Sequence, residues 1–445
     1  MSDKREIRRL LIANRGEVAL RIIRSCKVRG IEVVCVYSQA DREGSWLRYA
    51  DDAICISERS YLEPAAMIMA AKNSDCDAIH PGYGFLAENA EFAAAVNAAG
   101  LVFVGPSAEH IALMGAKATA REQAVQLGLG VLPGTACPQD ADLSVLAEQI
   151  GYPLIVKAVY GGGGRGMRIV NSASVLEGAV TLARREAGLA FGRDDLYLEK
   201  YLSAPRHIEV QVLGDGQGKA LALGARDCSV QRRYQKLIEE SPPPSMPADR
   251  LQPLLDLCAT VIARLAYRGL GTLEFLYDGQ QFFFIEMNTR LQVEHPVTES
   301  IFGVDLIGLQ LEIAAGQLWS DLEAQVIPTT ARGHAIEVRL LAEGQDQLPS
   351  AGTIKALTWP GGPGIRIDSH LEAGYQIPHQ YDSLLAKLIA WGADREEARM
   401  RLLQALQELR IEGISTNRQD LIKLLKAPDF RTGKTSTELF GKVIP

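Results

Sequence analysis

Short apolar runs alternate with stretches of helical periodicity over the first hundred residues of this chain. Residues 10 to 13 form a buried-strand run, 17 to 27 carry apolar side chains at helical spacing, Gly30 closes that helix, and 31 to 36 are the next strand. Such a βαβ unit requires a parallel sheet, because the helix returns the chain to the same end. The cycle continues through a strand at 53 to 56, a helix at 64 to 72, the loop His80-Pro81-Gly82-Tyr83-Gly84-Phe85, a helix from Glu88 and a strand at 101 to 104. The first turn, Asn14-Arg15-Gly16-Glu17, lacks the GxGxxG fingerprint. A Rossmann-like shape here therefore does not imply a dinucleotide.

The pattern breaks around Leu132-Pro133-Gly134 and Cys137-Pro138, a domain boundary signal. Between about 150 and 215 it predicts a small lobe: a strand at 153 to 158, a glycine loop, a strand at 167 to 170, a helix at 172 to 188, a strand at 196 to 200, and strict alternation over 207 to 213. After Pro242-Pro243-Pro244 come a helix (250 to 267) and two strands, 271 to 277 and 281 to 286, around Asp278-Gly279. A last segment from His334 adds strands and a helix at 396 to 409, and there is no internal repeat.

At 445 residues the chain is too long for one ordinary core and calls for two or three domains. Its 47% hydrophobic and 23% charged residues are globular values, which excludes extensive disorder. A net charge of -7 supplies no global basic field, so nucleic acid is not the expected partner. Apolar runs such as 101 to 104 fall far short of the ~20 residues that span a bilayer. The charged start Met1-Ser2-Asp3-Lys4-Arg5-Glu6 does not resemble a signal peptide, and the seven scattered cysteines contain no CxxC pair. The expectation is a cytoplasmic protein without a membrane segment.

Two clusters carry chemistry. In the first, the apolar strand ending at Lys157 is followed by Gly161, Gly162, Gly163, Gly164, Arg165 and Gly166. Backbone N–H groups of such a run can approach phosphate oxygens closely, although a mobile hairpin tip has the same composition. The lysine precedes the glycines, so this is not a Walker A loop. In the second, Glu286-Met287-Asn288-Thr289-Arg290-Leu291-Gln292-Val293-Glu294-His295 follows the run 282 to 285 and gathers carboxylates, an amide, a guanidinium and an imidazole. Glu274 and Glu286 offer hard oxygen ligands of the kind that hold Mg²⁺ or Mn²⁺ with substrate phosphates. Their alignment depends on register. A strict two-residue turn at Asp278-Gly279 sends them to opposite faces, whereas a three-residue connection or a β-bulge puts them on one face. Glu294 is either a general base or half of a structural ion pair with Arg290 or Arg339. Cys228 reads as a buried small hydrophobe.

These residues resemble the biotin carboxylase family of ATP-grasp ligases, collinearly over nearly the whole chain. The resemblance is carried by Ala13-Asn14-Arg15-Gly16-Glu17, His80 to Leu86, Gly163 to Met167, Arg226-Asp227-Cys228-Ser229, Gln231-Arg232-Arg233 and the stretch from Phe284 to Thr298. It implies an α/β fold, α+β in the central part. A Rossmann-like pre-ATP-grasp domain would span 1–114 and an ATP-grasp domain 115–330, with a mobile lid lobe at about 132–203 and a C-terminal biotin carboxylase domain at 331–445. By the same resemblance, Lys117 and Lys157 contact ATP phosphates under the Gly161 to Gly166 lid, and Glu199, Lys200 and Leu202 border the adenine. His207 and Gln231 lie towards the ribose and phosphates, with Tyr234 and Leu276 also on the nucleotide. Glu274 and Glu286 hold two metal ions with Asn288 nearby. Lys236, Arg290, Gln292 and Val293 frame bicarbonate, Glu294 is its general base, and Arg339 faces the biotin ureido oxygen.

The implied reaction is ATP-dependent carboxylation of biotin through carboxyphosphate, the first half-reaction of acetyl-CoA carboxylase in fatty-acid synthesis. No Ala-Met-Lys-Met sequence is present, so biotin is expected on a separate carrier protein, with carboxyltransferase subunits and a homodimer as further partners. Tyr234 stands where many relatives have histidine, Ala225 where they have glutamate, and Tyr160 where they have glycine. These departures bear on ATP affinity and lid closure. They also keep two other readings in view: carboxylation of a different urea-like or guanidino acceptor, and a nucleotide-binding paralogue without catalysis.

Overall fold

The computed structural model describes residues 5–57, 60–159, 167–317, 319, 330–344 and 347–444. Five parallel strands open the chain: β1 (Arg9–Ile12), β2 (Glu32–Ser38), β3 (Asp52–Ser57), β4 (Ala78–His80) and β5 (Val102–Phe103), in the order β3-β2-β1-β4-β5. Strand order reverses between β1 and β4, and a crevice opens at the carboxyl ends of strands at such a switch point. The two loops that leave there are tied together: Asn14 Nδ2 donates to the carbonyls of Pro81 at 2.7 Å and Tyr83 at 2.8 Å. Both loops line the main cleft.

A four-stranded antiparallel sheet follows, ordered β6-β9-β7-β8, from β6 (Gly134–Cys137), β7 (Leu154–Ala158), β8 (Arg168–Val170) and β9 (Leu196–Lys200). It has a core of its own, with Leu154, Val156, Val180, Ala183 and Leu198 packed under the helix Leu176–Phe191. The alternating stretch 207 to 213, expected in this lobe, lies elsewhere. It is part of β10 (Arg206–Asp215), the third strand of an eight-stranded antiparallel sheet.

That sheet runs β14-β13-β10-β11-β12-β15 and then through strands Leu384–Gly392 and Ile365–Ser369, where β11 is Ala220–Arg232, β12 Gln235–Ser241, β13 Arg268–Tyr277, β14 Phe282–Asn288 and β15 His334–Leu341. The pleat sorts its residues by chemistry. On one face, Ile208, Val210, Val212, Leu273, Phe275 and Phe284 pack with Leu254, Cys258 and Val261 of the helix Ala248–Arg264. Further along, Ile336, Val338 and Leu340 pack with Leu402 and Leu406 of the helix Arg395–Glu408. Of the intervening residues, His207, Lys236, Glu274 and Arg339 line the floor of the cleft, whereas Leu213, Leu223, Leu270 and Ala335 join an apolar core with Leu20 and Ile23. Among the described residues no helix is long and apolar enough to cross a membrane.

Helix α1 (Gly16–Val28) is anchored to the central part of the chain by charge. Asp305 accepts from Arg21 Nη2 at 2.8 Å, Ser25 Oγ at 2.8 Å and Arg29 Nη1 at 2.6 Å, and its Oδ1 caps the helix Leu306–Ala314 through the Gly308 amide at 3.1 Å. Burial opposes ionisation of Asp305, but Arg21 and these hydrogen bonds outweigh it and hold the carboxyl at about 2. A depressed carboxyl stabilises the fold above its unfolded pKa, near 4, and loses that contribution as pH falls towards 2. Asp305→Asn is expected to cost about 1–2 kcal/mol at pH 7. Urea unfolding followed at several pH values checks this: the gap to wild type should close between about pH 4 and 2.

Candidate active site

A cleft of about 2340 Å³ lies between the polar face of the large sheet, the four-stranded lobe and the two loops of the first domain. Its lining includes Lys157, Glu199, Lys200, Leu202, His207, Gln231, Tyr234, Lys236, Glu274, Leu276, Glu286, Asn288, Arg290, Gln292, Val293, Glu294 and Arg339. Gly161, Gly162, Gly163, Gly164 and Gly166, with Tyr160, lie outside the described residues, as does the side chain of Lys117 at the start of the helix Lys117–Gln126.

The hairpin between β13 and β14 decides whether Glu274 and Glu286 share a face. Its loop is four residues, 278 to 281, with Gly279 at φ +101 and Asp278 Oδ1 accepting from the amides of Gln280 and Gln281 at 2.8 Å. Alone, this register pairs Phe275 with Phe284 and leaves Glu274 opposite Ile285. A β-bulge between Glu274 and Phe275 shifts the ladder by one residue, so that Glu274 stands opposite Glu286 and Thr272 opposite Asn288. Direct cross-strand partners project to one side, so both carboxylates meet the cleft.

At the centre is one ammonium. Lys236 Nζ bonds Glu209 Oε2 at 2.5 Å, Glu294 Oε1 at 2.6 Å and Glu274 Oε1 at 2.9 Å. Glu209 and Glu294 have no solvent exposure, and Lys236 is nearly as enclosed. Burial disfavours each charge, and only their mutual attraction makes the arrangement tenable. The result is a lysine held well above its usual range and a Glu294 carboxyl held well below its own, because Lys236, then Arg339 and Arg226, overcome desolvation. The other oxygen of Glu294 accepts from Arg339 Nη2 at 3.0 Å.

Polar neighbours orient this core. Gln231 Nε2 donates to Cys228 O at 2.7 Å and lies 2.6 Å from His207 Nδ1. His207 Nε2 is then the protonated nitrogen and donates to Glu274 Oε2 at 2.7 Å. Glu274 Oε1 also accepts from Asn288 at 2.7 Å and Gln292 at 3.0 Å. Arg290 bridges Asn288 Oδ1 at 2.8 Å, Gln292 Oε1 at 2.9 Å and Glu88 at 2.8 Å, which ties the site to the first domain. In the small lobe, Glu199 pairs with Lys157 and with Arg121, and Lys200 is tied to the carbonyl of Tyr152 at 2.8 Å. Tyr234 lies half exposed in the two-residue turn from β11 to β12, with φ +66.

Glu274, Glu286 and Asn288 form a hard oxygen set along the cleft wall, and every hydrogen bond on Glu274 comes from an N–H donor, one of them the Lys236 cation. Oxygen donors of this kind suit a divalent cation, which those three residues would hold. His207, Glu209 and Glu274 come within ligating distance of one another, as do Glu209, Cys228 and Glu294. The three carboxylates among them already share the Lys236 ammonium.

Of the polar stretch, His295 does not line the cleft, and Cys228 is the buried small residue expected. His295 is fully buried at the first turn of the helix His295–Phe302, with Nδ1 2.7 Å from Gln292 O. Burial, reinforced by Lys387, keeps it neutral. Cys228 is likewise buried, and desolvation with the charge of Glu209 raises its thiol well out of the reactive range. Other residues were not singled out by sequence. Glu209 supports Lys236 and accepts from Arg226, Glu239 holds Arg339, and Lys387 donates to Val293 O at 2.9 Å. The available signal was polar side chains at every second position of strands otherwise rich in apolar residues.

The chain matches three family models: Biotin carboxylase, N-terminal domain, over residues 6–111; Carbamoyl-phosphate synthase L chain, ATP binding domain, over 116–322; and Biotin carboxylase C-terminal domain over 337–442. A Biotin carboxylase from Pseudomonas aeruginosa is 49% identical over 428 residues, covering 94% of this chain and 95% of the relative. The crystal structure of a biotin carboxylase from Campylobacter jejuni in complex with β,γ-ATP is 42% identical, with a TM-score of 0.92 over 98% of this chain and 99% of that one. The biotin carboxylase domain dimer of Hydrogenobacter thermophilus 2-oxoglutarate carboxylase, in complex with MgADP, ADP and bicarbonate, is 41% identical, with a TM-score of 0.92 over 98% of this chain and 97% of that one.

The three-carboxylate arrangement around Lys236 predicts a large penalty for removing the cation. Lys236→Met should lower the unfolding free energy by about 3–5 kcal/mol, the cost of leaving buried charge unpaired. Chemical denaturation checks it, and an unchanged midpoint would show that the carboxylates take up protons at little cost.

Proposed function

The chain belongs to the biotin carboxylase family, and we propose that it uses ATP and bicarbonate to carboxylate biotin borne on a carrier protein. The observation that carries this reading is Glu294, an ionised carboxylate enclosed between Lys236 and Arg339 at the floor of a nucleotide-sized cleft. Carboxylates, amides and guanidinium groups converge there on a space that has to hold one small anion beside a polyphosphate.

In this reading ATP lies between the small lobe and the large sheet, with Lys117 and Lys157 on its phosphates beneath the Gly161 to Gly166 loop. Glu199, Lys200, Leu202 and Leu276 border the base, and His207, Gln231 and Tyr234 line the ribose and phosphate side. A divalent ion held by Glu274, Glu286 and Asn288 supplies charge neutralisation for the phosphates. Bicarbonate is framed by Lys236, Arg290, Gln292 and the backbone of Val293. Glu294 takes its proton as its oxygen attacks the γ-phosphorus, ADP leaves and carboxyphosphate forms.

The low pKa of Glu294 makes it a weak base while two cations hold it. Anionic substrates compete for those cations. As Lys236 turns towards bicarbonate and phosphate, Glu294 loses its strongest partner and gains basicity at the step that needs it. Carboxyphosphate releases CO₂ by breaking its C–O bond, the phosphate takes the ureido N–H proton of biotin and the nitrogen attacks CO₂, while Arg339 meets the ureido oxygen, where a guanidinium stabilises the developing enolate at any working pH.

Carboxyltransferase subunits as partners, a homodimer and a cytoplasmic location complete the proposal. Supply of carboxyl groups to acetyl-CoA is the favoured use, and Mn²⁺ is an alternative metal. The proposed domain limits are 1–114, 115–330 and 331–445, with β12 and β15 pairing across the second limit.

ADP release with ATP, Mg²⁺ and bicarbonate, measured with and without free biotin, tests the reading. Strong stimulation by biotin is expected. Turnover only with another acceptor, or none despite ATP binding, would refute it. Glu294→Gln should fold and lower turnover by about 100-fold or more, and unchanged turnover would remove Glu294 from the role of base.

A further inference from the structure

A pair of carboxyl groups lies behind Arg339, and the proposed reaction uses neither of them. Glu239 on β12 and Glu337 on β15 are direct cross-strand partners, so their side chains emerge on the same side of the sheet, with Cβ atoms about 5 Å apart. Both are fully buried. Glu239 Oε1 accepts from Arg339 Nε at 2.6 Å, whereas Glu239 Oε2 and both oxygens of Glu337 have no hydrogen-bond partner among the described residues. Two adjacent buried carboxyls with three unsatisfied oxygens do not both ionise.

The charges that face the pair come from every neighbouring element. Arg339 follows Glu337 by two residues on β15, and Lys387 stands opposite Arg339 on the strand Leu384–Gly392. Glu294 precedes the helix His295–Phe302, and Lys236 lies on β12. Burial drives the Glu337 carboxyl well above its ordinary range against the pull of Lys387. Burial raises Glu239 as well, but Arg339 limits the rise to about 7. One proton therefore resides on Glu337, and the negative charge on Glu239.

We propose that Glu239 is the positioning residue of Arg339 and that Glu337 serves it as a neutral carboxylic acid. Glu239 Oε1 lies 2.6 Å from both Nε and Nη2 of the guanidinium, Nη2 also donates to Glu294 Oε2 at 3.0 Å, and Nη1 keeps no protein hydrogen bond among the described residues. A planar group held at two nitrogens has its third fixed in direction. That third nitrogen is the one left for the oxygen of the acceptor. An ionised Glu337 would compete with Glu239 for the guanidinium, so the neutral acid keeps a single anchor. This inference rests on the proposed meeting of Arg339 with biotin.

The test separates the biotin-dependent reaction from bicarbonate-dependent ATP hydrolysis without biotin. In Glu239→Gln the first should fall about 10- to 100-fold, as for a misaimed catalytic group, while the second and the KM for ATP stay within about three-fold of wild type. Glu337→Gln, which keeps a neutral group of the same size, should retain biotin-dependent turnover within about three-fold. If Glu239→Gln does not fold, Glu239→Asp carries the test, because it keeps the charge and shortens the reach; the same selective loss is expected. Equal loss of both reactions, no loss in either Glu239 variant, or a Glu337→Gln defect as large as that of Glu239→Gln would overturn the inference. Absence of biotin stimulation in the wild type would overturn the functional reading and this inference with it.

Discussion

Lys236 holds three carboxylates that have no other cation in common, and the polar half of the structure depends on that ammonium. Glu209, Glu274 and Glu294 come from β10, β13 and the segment before the helix His295–Phe302, so one Nζ fastens that segment to two paired strands. Without it, like charges a few ångströms apart in a poorly solvated cleft would separate or take up protons. With it, they stay close together, and Glu274 and Glu294 are held below the usual carboxylate range. Arg226 beneath Glu209 and Arg339 beside Glu294 extend the same logic outwards.

The eight-stranded sheet makes such a concentration of charge possible by separating it from the core. From β10 to β15 the apolar set of side chains turns to the packed helices, and polar residues of the other set turn to the cleft. The apolar set supplies the burial that stabilises the sheet, and the polar set is fixed at strand spacing without flexible loops. The switch point of the parallel sheet faces the same space. Glu88 reaches Arg290, and Glu17 pairs with Lys387 at 3.2 Å and with Tyr83, so the N-terminal domain closes one wall of the site.

Much of this was legible in the sequence, for reasons that can be named. The parallel alternation over the first hundred residues is local, and periodicity reads it well. The density of polar chemistry from Glu286 to Glu294 marked a site because ordinary strands do not end that way. The alignment of Glu274 with Glu286 turned on a bulge that period-2 patterns cannot reveal, and sequence left two registers open. Glu209, Glu239 and Glu337 were passed over because polar residues alternating with apolar ones read as a solvated face. Only the tertiary structure turns that face inward. Residues 207 to 213 were grouped with the small lobe because nearness in sequence stood in for strand pairing, yet β10 joins β11 and β13.

Substrate anions draw Lys236 away from Glu294, and bicarbonate, deprotonated by Glu294, attacks the γ-phosphorus. Isotope transfer tests that attack directly: turnover with ¹⁸O-labelled bicarbonate and unlabelled ATP, with the released phosphate analysed by mass spectrometry. Each phosphate is expected to carry one oxygen from bicarbonate. Phosphate carrying only oxygen from ATP and water would contradict the attack.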